Sequence, residues 1–180
     1  DPSCFGFTNG SFAITVFGGT PTYDYTLNTI DQTNGNFNGL TDGFYNLSVT
    51  DDNGCSIDTI LSITEPTEVV AELDSLFNLS CFNSDDGAIY TNASGGSGNY
   101  EYFWLKDNAP FLFTTDDLQN LAASLYTLEV TDGSNCSSEQ YDFTITQPDT
   151  LIINTLVQQD LSCDESNDGR IEVSGTGGTG

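Results

Sequence analysis

Cysteines and acidic turn residues are the side chains of this sequence whose types and spacing could do chemistry. The chain has 27 acidic residues, two basic residues, five cysteines and no histidine. Without histidine, the sequence lacks the most frequent general base and a common metal ligand, and it carries no Ser-His-Asp set or nucleophile elbow. The acidic positions recur as turn residues rather than converging on one place. We therefore expect no enzyme.

The acidic turns are the candidate cation sites. Calcium takes six to eight oxygen ligands and favours Asp, Asn and backbone carbonyl groups on loops. The sequence contains no Asp-x-Asp-x-Asp-Gly run, so solvated turn carboxylates are the simpler interpretation. Calcium is the one cofactor that the sequence leaves open, at these candidate ligands: Asp51, Asp52, Asp85, Asp86 and Asp132.

The cysteines recur at a fixed distance from glycine pairs. Cys4, Cys81 and Cys163 are each followed 14 residues later by a Gly-Gly pair, and an Asn-Gly or Asp-Gly turn lies between. The spacing from one such cysteine to the next is 77 and then 82 residues. Self-similarity at a fixed period indicates a tandem array of units of about 80 residues.

A second block repeats with the first. Residues 40–55, LTDGFYNLSVTDDNGC, match residues 121–136, LAASLYTLEVTDGSNC, and each block is followed by ITEP or ITQP. The repeats predict three domains: unit one at 1–66, lacking its first strand, a complete unit two at 67–148, and the start of unit three at 149–180. The chain begins and ends within a unit, so we expect it to be part of a longer array.

Charge narrows the class of partner. The formal net charge is -25, whereas binding of nucleic acid requires clustered Lys and Arg. No apolar run approaches the ~20 residues that cross a bilayer, so we expect no membrane insertion in this segment. The chain also has 12 Phe and eight Tyr, which is enough apolar surface to form cores rather than a disordered chain.

The apolar pattern predicts an all-β fold. In SFAITVF, Phe12, Ile14 and Val16 alternate with small or polar residues, and YNLSVT alternates in the same way. The equivalent strand of unit three carries Ile171 and Val173, and we expect one face of each such strand to be buried. Six or seven short strands in about 80 residues, with frequent turns, are typical of an immunoglobulin-like β-sandwich.

Glycine and tyrosine mark the structural positions of each unit. A glycine pair tolerates the positive φ of a turn that leads from one strand to the next, and the tyrosine five residues after the first glycine begins the following strand. The Leu-x-x-Gly-x-Tyr stretch resembles the tyrosine corner of immunoglobulin-like domains, in which the hydroxyl caps an upstream backbone group. The predicted structural residues are Gly18, Gly19, Tyr23, Tyr45, Gly95, Gly96, Tyr100 and Tyr126.

The ordered set of motifs resembles the SprB repeat of Bacteroidota surface adhesins. The set runs Cys-x4-[Asn/Asp]-Gly, Gly-Gly-x3-Tyr-x-Tyr, Leu-x-x-Gly-x-Tyr-x-[Leu/Val]-x-Val-Thr-Asp-x3-Cys and Ile-Thr-[Glu/Gln]-Pro, with Ser124 in place of the glycine in unit two. The resemblance implies a long extracellular filament at the cell surface, exported by type IX secretion and serving attachment and gliding motility. Asp-Ser/Thr-aliphatic motifs resemble O-glycosylation acceptors of the same bacteria, at Thr59, Ser75 and Thr150.

Two functions remain open within this resemblance. The units are a structural stalk whose partners are the neighbouring repeats, or they are repeated modules that bind polysaccharide or an extracellular surface. The second function would use aromatic side chains, namely Phe5, Phe7, Trp104, Phe111 and Phe113. Because equivalent positions differ between units, with Trp104 corresponding to Leu27, we favour the stalk.

The cysteines recur by unit, which favours disulfides and an oxidising, extracellular setting. Pairing within units would join Cys4 to Cys55 and Cys81 to Cys136. The strands beside these cysteines run in the same direction, however, so the pairs would lie at opposite poles about 25 Å apart, whereas a disulfide needs Cα atoms within ~7 Å. Pairing between units would join Cys4 to Cys136, and Cys163 has no assigned partner in either scheme.

Overall fold

The computed structural model describes residues 1–178, and every regular element within them is a β-strand. The strands are β1 (Gly10–Ala13), β2 (Tyr23–Leu27), β3 (Ile30–Gln32), β4 (Asn36–Leu40), β5 (Gly43–Asp51), β6 (Ser56–Ile63), β7 (Val70–Phe77), β8 (Gly87–Ser94), β9 (Glu101–Lys106), β10 (Ala109–Phe111), β11 (Leu118–Leu121), β12 (Ser124–Thr131), β13 (Tyr141–Ile145), β14 (Ile152–Gln159) and β15 (Arg170–Thr176). The all-β prediction is confirmed.

The predicted units one, two and three are called repeats one, two and three from here on. Repeat one folds into two antiparallel sheets. Strands β1 and β4 form one sheet, and the other has the order β3-β2-β5-β6. The strand alternation decides which side chains face inward, because successive residues of a strand point to opposite faces. Leu27 and Leu47 of one sheet and Phe37 of the other are buried in a shared core, against which Phe12 packs. This is a β-sandwich, as the sequence predicted.

Repeat two repeats this arrangement with one more strand. Its sheets have the orders β11-β8-β7 and β10-β9-β12-β13, so each strand of repeat one has a counterpart and β7 is added at the edge beside β8. The two sheets approach closely at Gly87 of β8, where an added Cβ would lie 3.0 Å from the side chain of Ile145 in β13. Seven strands in two such sheets form an immunoglobulin-like sandwich.

Repeat three contributes the β14-β15 hairpin within the described residues. The expectation of a buried face on its second strand is wrong here: Ile171 and Val173 are 75% and 54% exposed. A strand buries a face only when a second layer packs on it. Residues 149–178 contribute no such layer. The sequence of β15 therefore has the alternating apolar pattern, but its apolar side chains are exposed.

The structure divides into two compact units that differ from the sequence repeats. One unit comprises residues 1–70, 93–101 and 130–139, and the other comprises 71–92, 102–129 and 140–180, of which 179 and 180 lie outside the described residues. The first unit thus contains repeat one together with the glycine turn and the β12–β13 turn of repeat two. The domain bounds 1–66, 67–148 and 149–180 stay predictions. In the described part of the chain, no helix is long and apolar enough to cross a membrane.

Candidate functional site

A disulfide joins Cys4 to Cys136 within the first compact unit. The Cα atoms are 5.6 Å apart, and the two residues are 6% and 7% exposed. This bond confirms the pairing between repeats and rules out both pairings within repeats, Cys4 with Cys55 and Cys81 with Cys136. The strand-direction argument succeeded because it used a distance that the fold imposes and not a preference for nearby cysteines.

An aspartate organises the turn that presents Cys136. One carboxylate oxygen of Asp132 accepts hydrogen bonds from the backbone N–H of Ser134 at 2.9 Å and of Cys136 at 2.8 Å. Its other oxygen accepts from the N–H of Ser97 at 2.7 Å. The carboxylate therefore joins the cysteine turn to the glycine turn of the same repeat. These donors, that of Cys136 first, hold the pKa of Asp132 below its ordinary value.

The turn of Cys4 is also closed by side chains. Asn9 accepts a hydrogen bond from the N–H of Ser3 at 3.0 Å and donates one to the Ser3 hydroxyl at 2.8 Å. Glu65, of the ITEP segment, accepts from the N–H of Gly6 at 2.7 Å. In repeat two, Gln147 of ITQP accepts from Asn83 in the same way, at 2.9 Å. The repeated Glu or Gln before the proline thus anchors the cysteine turn of its own repeat.

The three remaining cysteines, Cys55, Cys81 and Cys163, are free and exposed. Each lies in a turn of the same type as a bonded cysteine. The N–H of Cys55 donates to Asp51 at 2.8 Å, as that of Cys136 does to Asp132. The carbonyl groups of Cys81 and Cys163 accept from the N–H three residues later, each at 3.2 Å, as that of Cys4 does.

The predicted calcium ligands are distributed over separate turns. Asp51, the last residue of β5, and Asp132, the residue after β12, begin equivalent turns. Asp86 caps the turn of Cys81, and Asp52 and Asp85 are exposed beside them. Among residues 1–178, no group of three or more Asp, Glu, His or Cys side chains is placed to hold a metal ion. Calcium binding stays a prediction of the sequence.

Hydrogen bonds already occupy carboxylate oxygens of Asp51, Asp86 and Asp132. Asp86 accepts from the hydroxyls of Ser80 and Ser84 and from the N–H of Ser80, and these donors lower its pKa to about 2, with the Ser80 hydroxyl as the largest cause. The N–H of Thr20, followed by that of Cys55, lowers the pKa of Asp51. Asp168 of repeat three is also lowered in pKa, first by the Ser162 hydroxyl. Each carboxylate therefore serves its turn in the ionised state.

The glycine pairs lie where the sequence placed them, in turns of positive φ. Gly18 and Gly19 have φ of 86° and 71°, and Gly95 and Gly96 have 81° and 56°. The hydroxyl of Tyr23 donates to the carbonyl of Gly18 at 2.6 Å, and that of Tyr100 donates to Gly95 at 2.7 Å. The fixed spacing of glycine and tyrosine is therefore the spacing of a capped turn.

The turn of Gly95 also receives the segment that precedes β7. A Cβ added to Gly95 would lie 1.8 Å from the carbonyl oxygen of Glu68, and the N–H of Gly96 donates to the carbonyl of Thr67 at 2.9 Å. At Gly177 the added Cβ would lie 2.0 Å from the oxygen of Thr150. Sequence reasoning assigned these glycines to turn geometry alone. The close backbone contact was missed, although the invariant spacing from ITEP or ITQP to the glycine pair was its signal.

Both tyrosine corners form. The hydroxyl of Tyr45 donates to the carbonyl of Thr41 at 2.9 Å, and that of Tyr126 donates to Ala122 at 3.0 Å, so Ser124 in place of glycine does not prevent the bond. Tyr126 is fully buried, and burial raises the pKa of its phenol. The corner ties β12 to the segment before it.

The aromatic residues proposed for surface binding differ in solvent exposure. Trp104 is only 2% exposed, its indole N–H donates to the carbonyl of Thr115 at 2.9 Å, and its ring packs against Phe143. Assigning Trp104 to a binding surface is therefore wrong, because it occupies the core position that Leu27 fills in repeat one. Phe111 is half-buried, and the others, Phe5, Phe7 and Phe113, are exposed.

The predicted glycosylation acceptors lie in or beside strands. Thr59 is exposed in β6, Ser75 is half-buried in β7, and Thr150 is exposed just before β14. Modification at these positions stays a prediction.

Comparison with known proteins finds one family model that matches two segments of the chain and several solved structures that share its fold. The family model of the SprB repeat matches residues 1–32 and 75–109. Among solved structures, this chain is similar to the three N-terminal domains of the bacteriophage RB49 highly immunogenic outer capsid protein. The alignment covers 99% of this chain and 67% of the capsid-protein chain, with 16% sequence identity and a TM-score of 0.50. No curated protein matches the sequence.

Two further structures are more distant. One contains fibronectin(III)-like modules of Clostridium thermocellum CbhA. The alignment covers 74% of this chain and 83% of the CbhA chain, at 15% sequence identity and a TM-score of 0.38. The other is a C-terminal fragment of intimin in complex with the intimin-binding domain of its translocated receptor. The alignment covers 75% of this chain and 53% of the intimin chain, at 16% sequence identity and a TM-score of 0.35.

Proposed function

We propose, from the premise that this chain carries SprB repeats in two segments, that it is a structural stalk in an extracellular adhesin filament at the cell surface. The filament would serve attachment and gliding motility, and its export would use type IX secretion. The single observation that carries the proposal is the family match, which falls on the same positions in successive repeats. The buried Cys4–Cys136 disulfide supports an oxidising compartment outside the cytoplasm.

A stalk role is supported by what the repeated residues do. The glycine pairs, the capping tyrosines and the turn aspartates all make contacts within the fold. The residues that recur between repeats thus stabilise the fold. A ligand site shared by the repeats would instead require some recurring residues to face solvent, where they could contact a ligand. The net charge of -25 favours mutual repulsion between segments and solubility.

A second candidate is a module that binds polysaccharide or another extracellular surface. Exposed aromatic side chains favour it, since Phe17 and Phe44 are 90% and 80% exposed. Aromatic rings on a surface are suited to contact with sugars or with a partner protein. Calcium could stabilise such a module, and addition of calcium would then raise the melting temperature relative to EDTA.

The stalk proposal is tested on intact cells of the organism that makes the protein. Antibodies against the 180-residue chain should label unpermeabilised cells, and their Fab fragments should reduce attachment to glass. Absence of labelling on intact cells would refute the surface location. The purified chain is then applied to immobilised polysaccharides and to glass, where the stalk proposal expects no retention above an unrelated acidic protein. Specific retention would instead support the binding module.

A further inference from the structure

The Cys4–Cys136 disulfide closes a covalent loop around most of the chain. The two cysteines are separated by 132 positions, and the strands β1 to β12 all lie between them. We propose that, when the chain is pulled from its ends, this bond carries the tension past residues 5–135, so that the backbone inside the loop bears no load. The biological use of this property rests on the proposed stalk function, because a stalk between a cell and a surface is under tension.

The argument depends on two path lengths between the same two atoms. Through the disulfide, the Cα atoms of Cys4 and Cys136 are 5.6 Å apart. Through the backbone, a fully extended chain of that separation would span about 430 to 470 Å. Tension in a branched covalent path is borne by its shorter arm, and the longer arm stays slack. Unfolding of the sandwich strands inside the loop therefore cannot lengthen the chain while the bond is intact.

The location of the bond protects it. Both cysteines are at least nine-tenths buried, and the Asp132 hydrogen bonds hold the Cys136 turn in place. The free cysteines are exposed in comparison. The bonded sulfurs are thus poorly accessible to a reductant in solution, and the bond stays closed while the chain is folded.

The strands outside the loop define what tension can still extend. Residues 137–180 follow Cys136 and include β13, β14 and β15. β13 lies at the edge of its sheet and pairs with β12 over five residues. Together with residues 1–3, these outer segments can contribute a full extension of about 160 to 170 Å, against about 590 to 650 Å for the whole chain.

The inference is tested by stretching single molecules of the oxidised chain between tags attached to its two ends without thiol chemistry. We expect the full extension to stop near 160 to 170 Å. Adding a phosphine reductant while the molecule is held under force should then release one further length of about 430 to 470 Å. This measurement uses the natural chain, so it does not depend on whether a cysteine variant folds.

Two variants serve as matched controls. Cys55→Ser removes an exposed free thiol and should stop at the same length as the natural chain, whereas Cys4→Ser should extend fully without reductant. If the oxidised natural chain extends by about 430 Å or more, the loop of residues 5–135 is not shielded and the inference is wrong; a stop near 430 to 460 Å would indicate a Cys4–Cys55 bond. The measurement involves no cell or surface, so its outcome is independent of the antibody and retention tests of the stalk proposal.

Discussion

Replacing Gly95 by alanine should destabilise the chain by about 3–5 kcal/mol, and the same change at Gly18 should cost about 1 kcal/mol. Both glycines have a positive φ, 81° and 86°. An alanine in the left-handed region costs roughly 1–2 kcal/mol, partly offset by reduced freedom in the unfolded chain. This backbone cost is common to the two positions, so Gly18→Ala is the matched control.

The two positions differ in what surrounds the added methyl group. At Gly18 no heavy atom lies within 4 Å, whereas at Gly95 the methyl carbon would lie 1.8 Å from the Glu68 carbonyl oxygen. Forcing an extra carbon into a filled space costs typically about 1–3 kcal/mol. The segment containing Glu68 must move, and the hydrogen bond from Gly96 N–H to Thr67 is then weakened, which adds about 1 kcal/mol.

Urea unfolding followed by far-UV circular dichroism gives the free energy of unfolding of each variant. Hydrogen exchange of the Gly96 amide reports the displaced segment directly: exchange should be faster in Gly95→Ala and unchanged in Gly18→Ala. Equal stability losses in the two variants, or an unchanged Gly96 amide in Gly95→Ala, would refute the proposed role of the close backbone contact.

Three further substitutions test the capped turns. Tyr126→Phe should cost about 1–3 kcal/mol in urea unfolding because Tyr126 is fully buried and the Ala122 carbonyl loses its donor. Tyr45→Phe should cost under about 1 kcal/mol because Tyr45 is half-buried and water can replace its hydroxyl; equal losses would contradict this account. The folded pKa of Asp86, about 2, is below its ordinary 3.8, so its contribution to stability is full above pH 3.8 and is lost as the pH falls towards 2. Asp86→Asn, which places in repeat two the residue that Asn9 provides in repeat one, should reduce the loss of stability between pH 4 and pH 2, measured by Trp104 fluorescence; a loss parallel to that of the natural chain would exclude this role.

Local patterns predicted much of the fold. Alternation of apolar residues located the strands, and the repeated Leu-x-x-Gly-x-Tyr stretch located both tyrosine corners, because these features depend on residues close in sequence. The Cys4–Cys136 bond was accessible to reasoning because strand direction and length limit which cysteines can meet. Each of these predictions depended on residue spacing, or on the strand length and direction inferred from it.

Features that depend on the surroundings of a residue were harder to predict. Trp104 was named among the aromatic side chains of the less favoured surface-binding function, and its core position was not predicted, because a single tryptophan does not reveal which layer covers it. The contact of Gly95 with Glu68 joins segments 27 residues apart and follows from backbone proximity, which side-chain type does not encode. Ile171 and Val173 show the converse, a correct pattern without a covering layer.

The disulfide also changes what a protease can achieve. A single cut anywhere between residues 5 and 135 leaves two fragments that remain covalently attached through Cys4 and Cys136. Separation of the fragments would require reduction of a buried bond as well as hydrolysis of a peptide bond. A cut after Cys136, in the segment that leads to β13 or in the one that leads to β14, is the simplest way to release the end of this chain.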